Sequence, residues 1–425
     1  MNARVTEVKL DNGLTVVLKE MHHAPVISWW VFYRVGSRNE LPGVTGASHW
    51  VEHMMFKGTP RFPGHELDRI ISREGGEWNA FTWIDYTAYH ETMPADRIDI
   101  GLQLEADRMV NARFEPEEVE SERTVIISER QGHENDPMFY LGEEMQAISF
   151  RVHPYHHEII GDMADLQTLS RDDLYNHYRR YYHPNNAVAV MVGDFDAGAM
   201  LARIRALYEP LPPGETPPPV LRVEPEQRGE RRVKVEREGT TAFVSLACHA
   251  PRASDDDYFK MAVMDSVLSG GNGTSNKTSR LYKALVETDL AADVGGGLAP
   301  TIDPFLYSLD VTVRAGRSPD EVEAALLAEI DRIICEPVRE EELVKAKKQA
   351  KAYFAFASES ITNQAYWLGR SYMLTGGSAW LDTYLDRLLA VTAEDVQDVA
   401  RRHLKPSRRT IGWFVPIQSD GNDAA

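Results

Sequence analysis

The chain begins with three runs dominated by β-branched and aromatic residues, Val5 to Lys9, Thr15 to Lys19 and Val26 to Tyr33, the first two separated by Asp11-Asn12-Gly13. This pattern predicts β-strands, with a hairpin turn at the glycine. A helix is predicted after them, around Gly46 to Thr59, and then a strand-like stretch from Glu77 to His90. Helices follow from Arg97 to Asn111 and from Pro116 onward, where proline suits the first helical position. Strands followed by runs of helices imply an antiparallel or mixed sheet with helices packed on one face.

The segment Glu209 to Pro219 nearly halves the chain, and its prolines can neither continue a helix nor complete a strand ladder. Similar pieces recur on either side of it in the same order. Ser170-Arg171-Asp172-Asp173-Leu174 leads to Pro184 and a hydrophobic strand from Ala187 to Val192; Thr392-Ala393-Glu394-Asp395-Val396 leads to Pro406 and a strand from Thr410 to Val415. In both, the proline comes fourteen residues after a hydroxyl that starts a capping box. Glu117-Glu118-Val119 and Glu341-Glu342-Leu343 open an acidic helix in each half. The repetition predicts an internal duplication. The expected fold is α+β, with two homologous domains at residues 1–208 and 232–425 joined by a Pro-rich linker at 209–231.

Composition narrows the partners. A chain of 425 residues with 43% hydrophobic content can bury large cores, and no window approaches a membrane span. Met1 to Thr6 runs straight into a strand without an apolar signal region, so the expected location is cytoplasmic, with no membrane partner. The balance of 46 basic to 65 acidic residues, a formal charge of -19, disfavours nucleic acid and anionic membranes and would welcome a basic peptide. Cys248 and Cys335 are too few for a disulfide framework or a thiolate site, so any metal must rely on histidine and carboxylate.

Within the predicted helix lies His49-Trp50-Val51-Glu52-His53, which reverses the spelling of the zincin signature. Residues four apart lie one turn above each other, so His49 and His53 can offer two imidazoles to one metal while Glu52 projects beside them. A catalytic zinc takes three protein ligands and keeps one position open, so a third is needed. The helix after Pro116 offers Glu117, Glu118, Glu120, Glu122 and Glu129. Glu122 and Glu129, seven apart, share a side, and the apolar Val125 and Ile126 between them turn that side toward the core. Spacing alone does not choose between them.

Several motifs together resemble the pitrilysin and insulin-degrading-enzyme family of inverted zincins, in the half-length branch that includes the mitochondrial processing peptidase β subunit and bacterial processing proteases. They are Gly46 to Thr59, Gly75 to Thr82, Tyr182 to Asn186 with Val192-Gly193-Asp194, Gly270 to Thr274, and Ser279-Arg280-Leu281-Tyr282. The resemblance implies half of a clamshell chamber and one Zn2+ per chain, held by His49, His53 and Glu129. It also implies Glu122 as a supporting glutamate, Glu52 as general base, and a peptide running antiparallel along Trp78 to Thr82 against Asn79 and Ala80. The expected activity is zinc endopeptidase action on unfolded peptides or presequence-like segments. Alternatives are a maturation protease for one precursor peptide and a non-catalytic assembly subunit.

One stretch departs from the family. Where relatives carry an arginine and a tyrosine that face the substrate, this chain has Val286 and, within one position, Ala292. A homologous second subunit is expected to supply the pair. Other conspicuous residues are expected to be structural: His153, His156 and His157 as a loop, and Lys345, Lys347, Lys348 and Lys351 as a solvated face paired with nearby acids. Gly270 to Gly273 lacks the ending of a phosphate loop.

Overall fold

The computed structural model describes residues 5–271 and 275–417; Asn272, Gly273 and Thr274 of the glycine-rich run lie outside the described residues. The strands β1 (Val5–Lys9), β2 (Thr15–Glu20), β3 (Val26–Tyr33), β4 (Glu77–Thr82), β5 (Thr87–Pro94) and β6 (Ala187–Gly193) form one sheet in the order β1-β2-β6-β3-β5-β4. A second sheet contains β7 (Arg231–Glu238), β8 (Phe243–His249), β9 (Ala291–Leu298), β10 (Leu306–Val313) and β11 (Arg409–Ile417), in the order β7-β11-β8-β10-β9. Without β1 the two plans are the same. Each sheet has one parallel pair, β2 with β6 and β7 with β11, and is otherwise antiparallel. The duplication read in the sequence is therefore a duplication of topology.

The predicted punctuation is present. Gly13 turns between β1 and β2 at φ 92°. Ser170 with Asp173 and Thr392 with Asp395 form capping boxes at the helices Arg171–Tyr181 and Ala393–His403. Pro184 and Pro406 each open a short 3-10 turn before β6 and β11. The stretch from Glu77 is a hairpin instead of one strand: Trp83 N–H donates to Tyr86 O at 2.8 Å, and Ile84 O accepts Arg38 N–H at 2.9 Å. Aromatic residues through the turn hide it from a composition-based reading. No helix among the described residues is long and apolar enough to cross a membrane.

The chain forms two compact units, each drawing on both sequence halves. Unit 1 runs to Gln131 and adds His157–Arg222 and Ala357–Leu381; unit 2 takes Gly132–His156, Val223–Phe356 and the chain from Asp382. The physical cause is a sheet that is apolar on both faces. In unit 1, Trp29 and Tyr33 of β3 pack under the helical layer, against Tyr208 and Tyr182 at ring distances of 5.8 Å and 4.4 Å. Trp30 and Phe32 point the other way, where the helix Ile361–Thr375 covers them. In unit 2 the helix Pro137–Ser149 does the same, placing Leu141 and Met145 on Ala247 and Phe414.

The three loop histidines do not converge. His153 Nε2 meets Asp303 at 3.2 Å within unit 2, His156 Nδ1 meets His153 O at 3.1 Å, and His157 Nε2 meets Glu40 at 3.0 Å within unit 1. The lysine stripe lies on the helix Glu340–Ala357, but the expected pairing is absent: Lys345 donates to Thr278 O at 2.6 Å, and Lys347, Lys348 and Lys351 form no ion pair among the described residues. Exposed ammonium groups gain little from pairing, so nothing enforces it.

The helix Ile361–Thr375 lies so close to β3 that a Cβ on Gly369 would fall 2.0 Å from the buried Phe32 ring. Gly369→Ala is expected to destabilise the protein by about 1–3 kcal/mol through overpacking. Gly377→Ala, with nothing within 4 Å, should be neutral in the same denaturant titration.

Candidate metal centre

The motif occupies the helix Ala47–Met54, whose entry is unusual. Gly46 stands at its N-terminus with φ 85° and no side-chain cap. A Cβ there would fall 2.5 Å from Ile160 O, so both the backbone angle and the space require glycine. The cap comes from elsewhere. Glu40, 3% exposed, accepts Gly46 N–H at 2.8 Å and Ser48 N–H at 2.7 Å with its two oxygens, where the helix dipole also favours a carboxylate. Buried Trp50, Val51 and Met54 anchor the inner side, and the Arg123 guanidinium lies 4.9 Å over the Trp50 ring. His49 and His53 are left on a shared outer side.

The second contributor is the helix Pro116–His133. His49 Nε2 lies 3.8 Å and His53 Nε2 3.7 Å from the same oxygen of Glu129, and the three potential ligand atoms lie within 4.8 Å of one another. Ligand atoms around a tetrahedral zinc sit about 3.4 Å apart, so the group is spaced for an ion. Two imidazoles and a carboxylate match zinc's preferences, and the partial exposure of all three leaves a side open. It is the one such grouping among the described residues.

Glu122, two turns before Glu129, accepts a hydrogen bond from His53 Nδ1 at 2.7 Å. That bond fixes the tautomer and turns the Nε2 lone pair toward Glu129 and His49. Lys57 Nζ pairs with the other Glu122 oxygen. Burial pulls the His53 pKa down, but Glu122 and the surrounding carboxylates outweigh it and leave the imidazole raised. Burial likewise opposes ionisation of Glu122, yet His53 and Lys57 hold its carboxyl below the ordinary value.

Glu52 is 8% exposed, and burial raises its pKa despite the Thr82 hydroxyl, which donates to Oε2 at 2.6 Å. Thr82 ends β4, the edge strand of its sheet, so the carboxylate is tied to the strand that carries Asn79 and Ala80. Asn79 is exposed and Ala80 half-buried; the Ala80 N–H donates to Asn79 Oδ1 at 2.9 Å. In unit 2, Val286 ends the short helix Tyr282–Val286 and Ala292 is exposed near the start of β9. Sequence reasoning missed Glu40, Thr82 and Lys57 as supports. The last two sit inside quoted motifs, whereas Glu40 gives no local signal.

Residues 15–163 match the family model described as Insulinase (Peptidase family M16), and residues 168–350 match the one described as Peptidase M16 inactive domain. The zinc protease PqqE of Helicobacter pylori is 28% identical over 416 residues, covering 96% of this chain and 92% of that protein. The mitochondrial-processing peptidase subunit beta of Lentinula edodes is 27% identical over 410 residues, 94% of this chain and 87% of that protein. The crystal structure of a protease from Helicobacter pylori superposes with a TM-score of 0.92 at 27% identity, over 97% of this chain and 100% of that chain. The periplasmic protease PqqL of Escherichia coli shares the fold, with a TM-score of 0.79 at 21% identity, over 98% of this chain but 48% of that chain. With two successive M16 models matching residues 15–163 and 168–350 and one fold shared along nearly its whole length, the chain belongs to the M16 peptidase family, among relatives named zinc proteases.

Proposed function

We propose that this chain is the metal-bearing subunit of a zinc endopeptidase that hydrolyses unfolded peptides or presequence-like segments. The observation that carries the reading is the convergence of His49 Nε2, His53 Nε2 and Glu129 on one another, with Glu52 buried beside them. Zinc held there would supply Lewis acidity to a water molecule and to the scissile carbonyl. Glu52 then acts as general base, taking a proton from the attacking water and passing it to the leaving amine. Thr82 holds that carboxylate in place, and Glu122 holds the His53 ring. The peptide adds as an antiparallel strand to the edge of β4, its backbone against Asn79 and Ala80, a mode that demands little of its sequence. The charge of -19 favours basic peptides.

The proposed enzyme is incomplete in one chain. Val286 and Ala292 carry no side-chain donor for the substrate or the developing oxyanion, so a homologous second subunit is assigned the arginine and tyrosine. Two comparisons support a paired arrangement: this chain spans 48% of PqqL, and the Lentinula relative is named as a subunit. A purely structural assembly role would leave the convergent imidazoles and carboxylates without a purpose.

Glu52→Gln should retain zinc at wild-type stoichiometry and lose peptide hydrolysis by at least about a hundredfold, the scale of general base catalysis. Unchanged turnover would remove Glu52 from its role. Ala80→Leu should raise KM for peptides while leaving zinc content intact; parallel loss of both would mean misfolding. Purified chain alone should cleave a peptide library far more slowly than the chain mixed with its homologue, and full activity without a partner would refute the two-subunit reading.

A further inference from the structure

The duplication gives the metal centre a counterpart within unit 2. The helix Asp256–Leu268 follows β8 as Ala47–Met54 follows β3, and Glu340–Ala357 corresponds to Pro116–His133 through the paired glutamates at its start. Tyr353 stands twelve residues after Glu341, as Glu129 stands twelve after Glu117. On the other helix, Ala262, Asp265 and Ser266 repeat the spacing of His49, Glu52 and His53. All four of these unit 2 residues line one cavity of about 30 Å³, room for a single water-sized group. The place survives without its imidazoles.

The polar groups that line this cavity include acceptor oxygens of Asp265, Ser266 and Gln349. Asp265 is 4% exposed, and its Oδ1 accepts the hydroxyls of Ser269 at 2.5 Å and Tyr307 at 2.8 Å. Its Oδ2 receives no hydrogen bond from the described residues, and no Lys, Arg or His pairs with it. Gln349 Oε1 is buried and has no hydrogen-bond partner among the described residues. Ser266 gives its proton to Ala262 O at 3.0 Å, which leaves its oxygen as an acceptor. Beside them, a Cβ on Gly271 would fall 2.8 Å from Ser266 Oγ and 3.2 Å from Asp265 Oδ2, so glycine keeps that space clear.

A buried carboxylate without a counter-charge is costly, and an orphaned amide oxygen adds to the cost. Burial pushes the Asp265 carboxyl up to about 6 against the hydrogen bonds from Ser269 and Tyr307, and no neighbouring cation offsets that burial. The cavity therefore calls for a compact guest with positive charge and several donors. Tyr353 and Tyr384 also line it, and aromatic faces attract cations. We propose that this cavity binds a primary ammonium group, whose three N–H donors match Asp265 Oδ2, Gln349 Oε1 and Ser266 Oγ. A small free amine and a lysine-type side chain share this chemistry. The site is independent of the zinc centre and of the proposed peptidase activity.

The test is calorimetric titration of the full chain with methylammonium, n-butylammonium and tetramethylammonium chlorides at constant ionic strength. Methylammonium should bind saturably, and tetramethylammonium, which has the charge but no N–H, should not. Asp265→Asn should weaken methylammonium binding by about tenfold or more, the scale of a hydrogen bond to a charged group. Gln349→Ala should weaken it too, and serves as the variant if Asp265→Asn does not fold. Tighter binding of n-butylammonium would indicate a lysine-type group, and preference for methylammonium a compact free amine. The proposal is overturned if wild-type chain gives no saturable heat, as a cavity filled by water alone would. It also fails if both cations respond equally, or if the folded variants bind as wild type does.

Discussion

His53 Nδ1 and Glu122 Oε1 meet at 2.7 Å, and that hydrogen bond joins two helices through residues 69 positions apart in the sequence. Its geometric consequences reach the whole site. Once Glu122 faces His53, the helical repeat places Glu129, two turns on, near the Nε2 atoms of both histidines. Once Nδ1 is engaged, only Nε2 of His53 remains available to an ion. Lys57 pairs with the remaining Glu122 oxygen, so the buried carboxylate that orients His53 is itself balanced by a cation. The far end of the motif helix needs its own restraint, and Glu40 provides it by accepting two of the N–H groups left over at its N-terminus.

The two sheets share a strand order but have diverged at corresponding places. In unit 1 the helix pair carries imidazoles and glutamates; in unit 2 the matching positions carry Ala262, Ser266 and Tyr353, and only Asp265 keeps a carboxylate at the spacing of Glu52. The description of residues 168–350 as an inactive domain agrees with that loss. Each sheet also borrows a helix from the other sequence half, Ile361–Thr375 in unit 1 and Pro137–Ser149 in unit 2. A sheet apolar on both faces cannot stop at one helical layer, and the borrowed helix covers what remains. Glycine marks both contacts: Gly369 on the helix against Phe32, and Gly412 on β11 against Met145.

Much of this was legible in the chain because it is written over short distances. The i,i+4 spacing of His49 and His53, the capping boxes at Ser170 and Thr392, and the prolines that follow them are rules of one or two turns, and they hold wherever the helix lies. Comparing the halves then revealed the duplication without any knowledge of strand pairing. The glutamates after Pro116 resisted such reading. Helical spacing narrowed five to two, but the separate tasks of Glu122 and Glu129 depend on how deeply each enters beside His53.

The sequence by itself determined the α+β duplication, the helix that presents two histidines and a glutamate, and the absence of donors at Val286 and Ala292, since each follows from residue type at fixed local spacing. Only the tertiary structure decided that Glu40 caps that helix, that Thr82 holds Glu52, that each unit takes a helix from the other sequence half, and that the lysine stripe forms no ion pair among the described residues. These depend on where distant segments come to rest. A buried carboxylate finds its donors through packing, and no pattern within a turn or two records which segment will supply them.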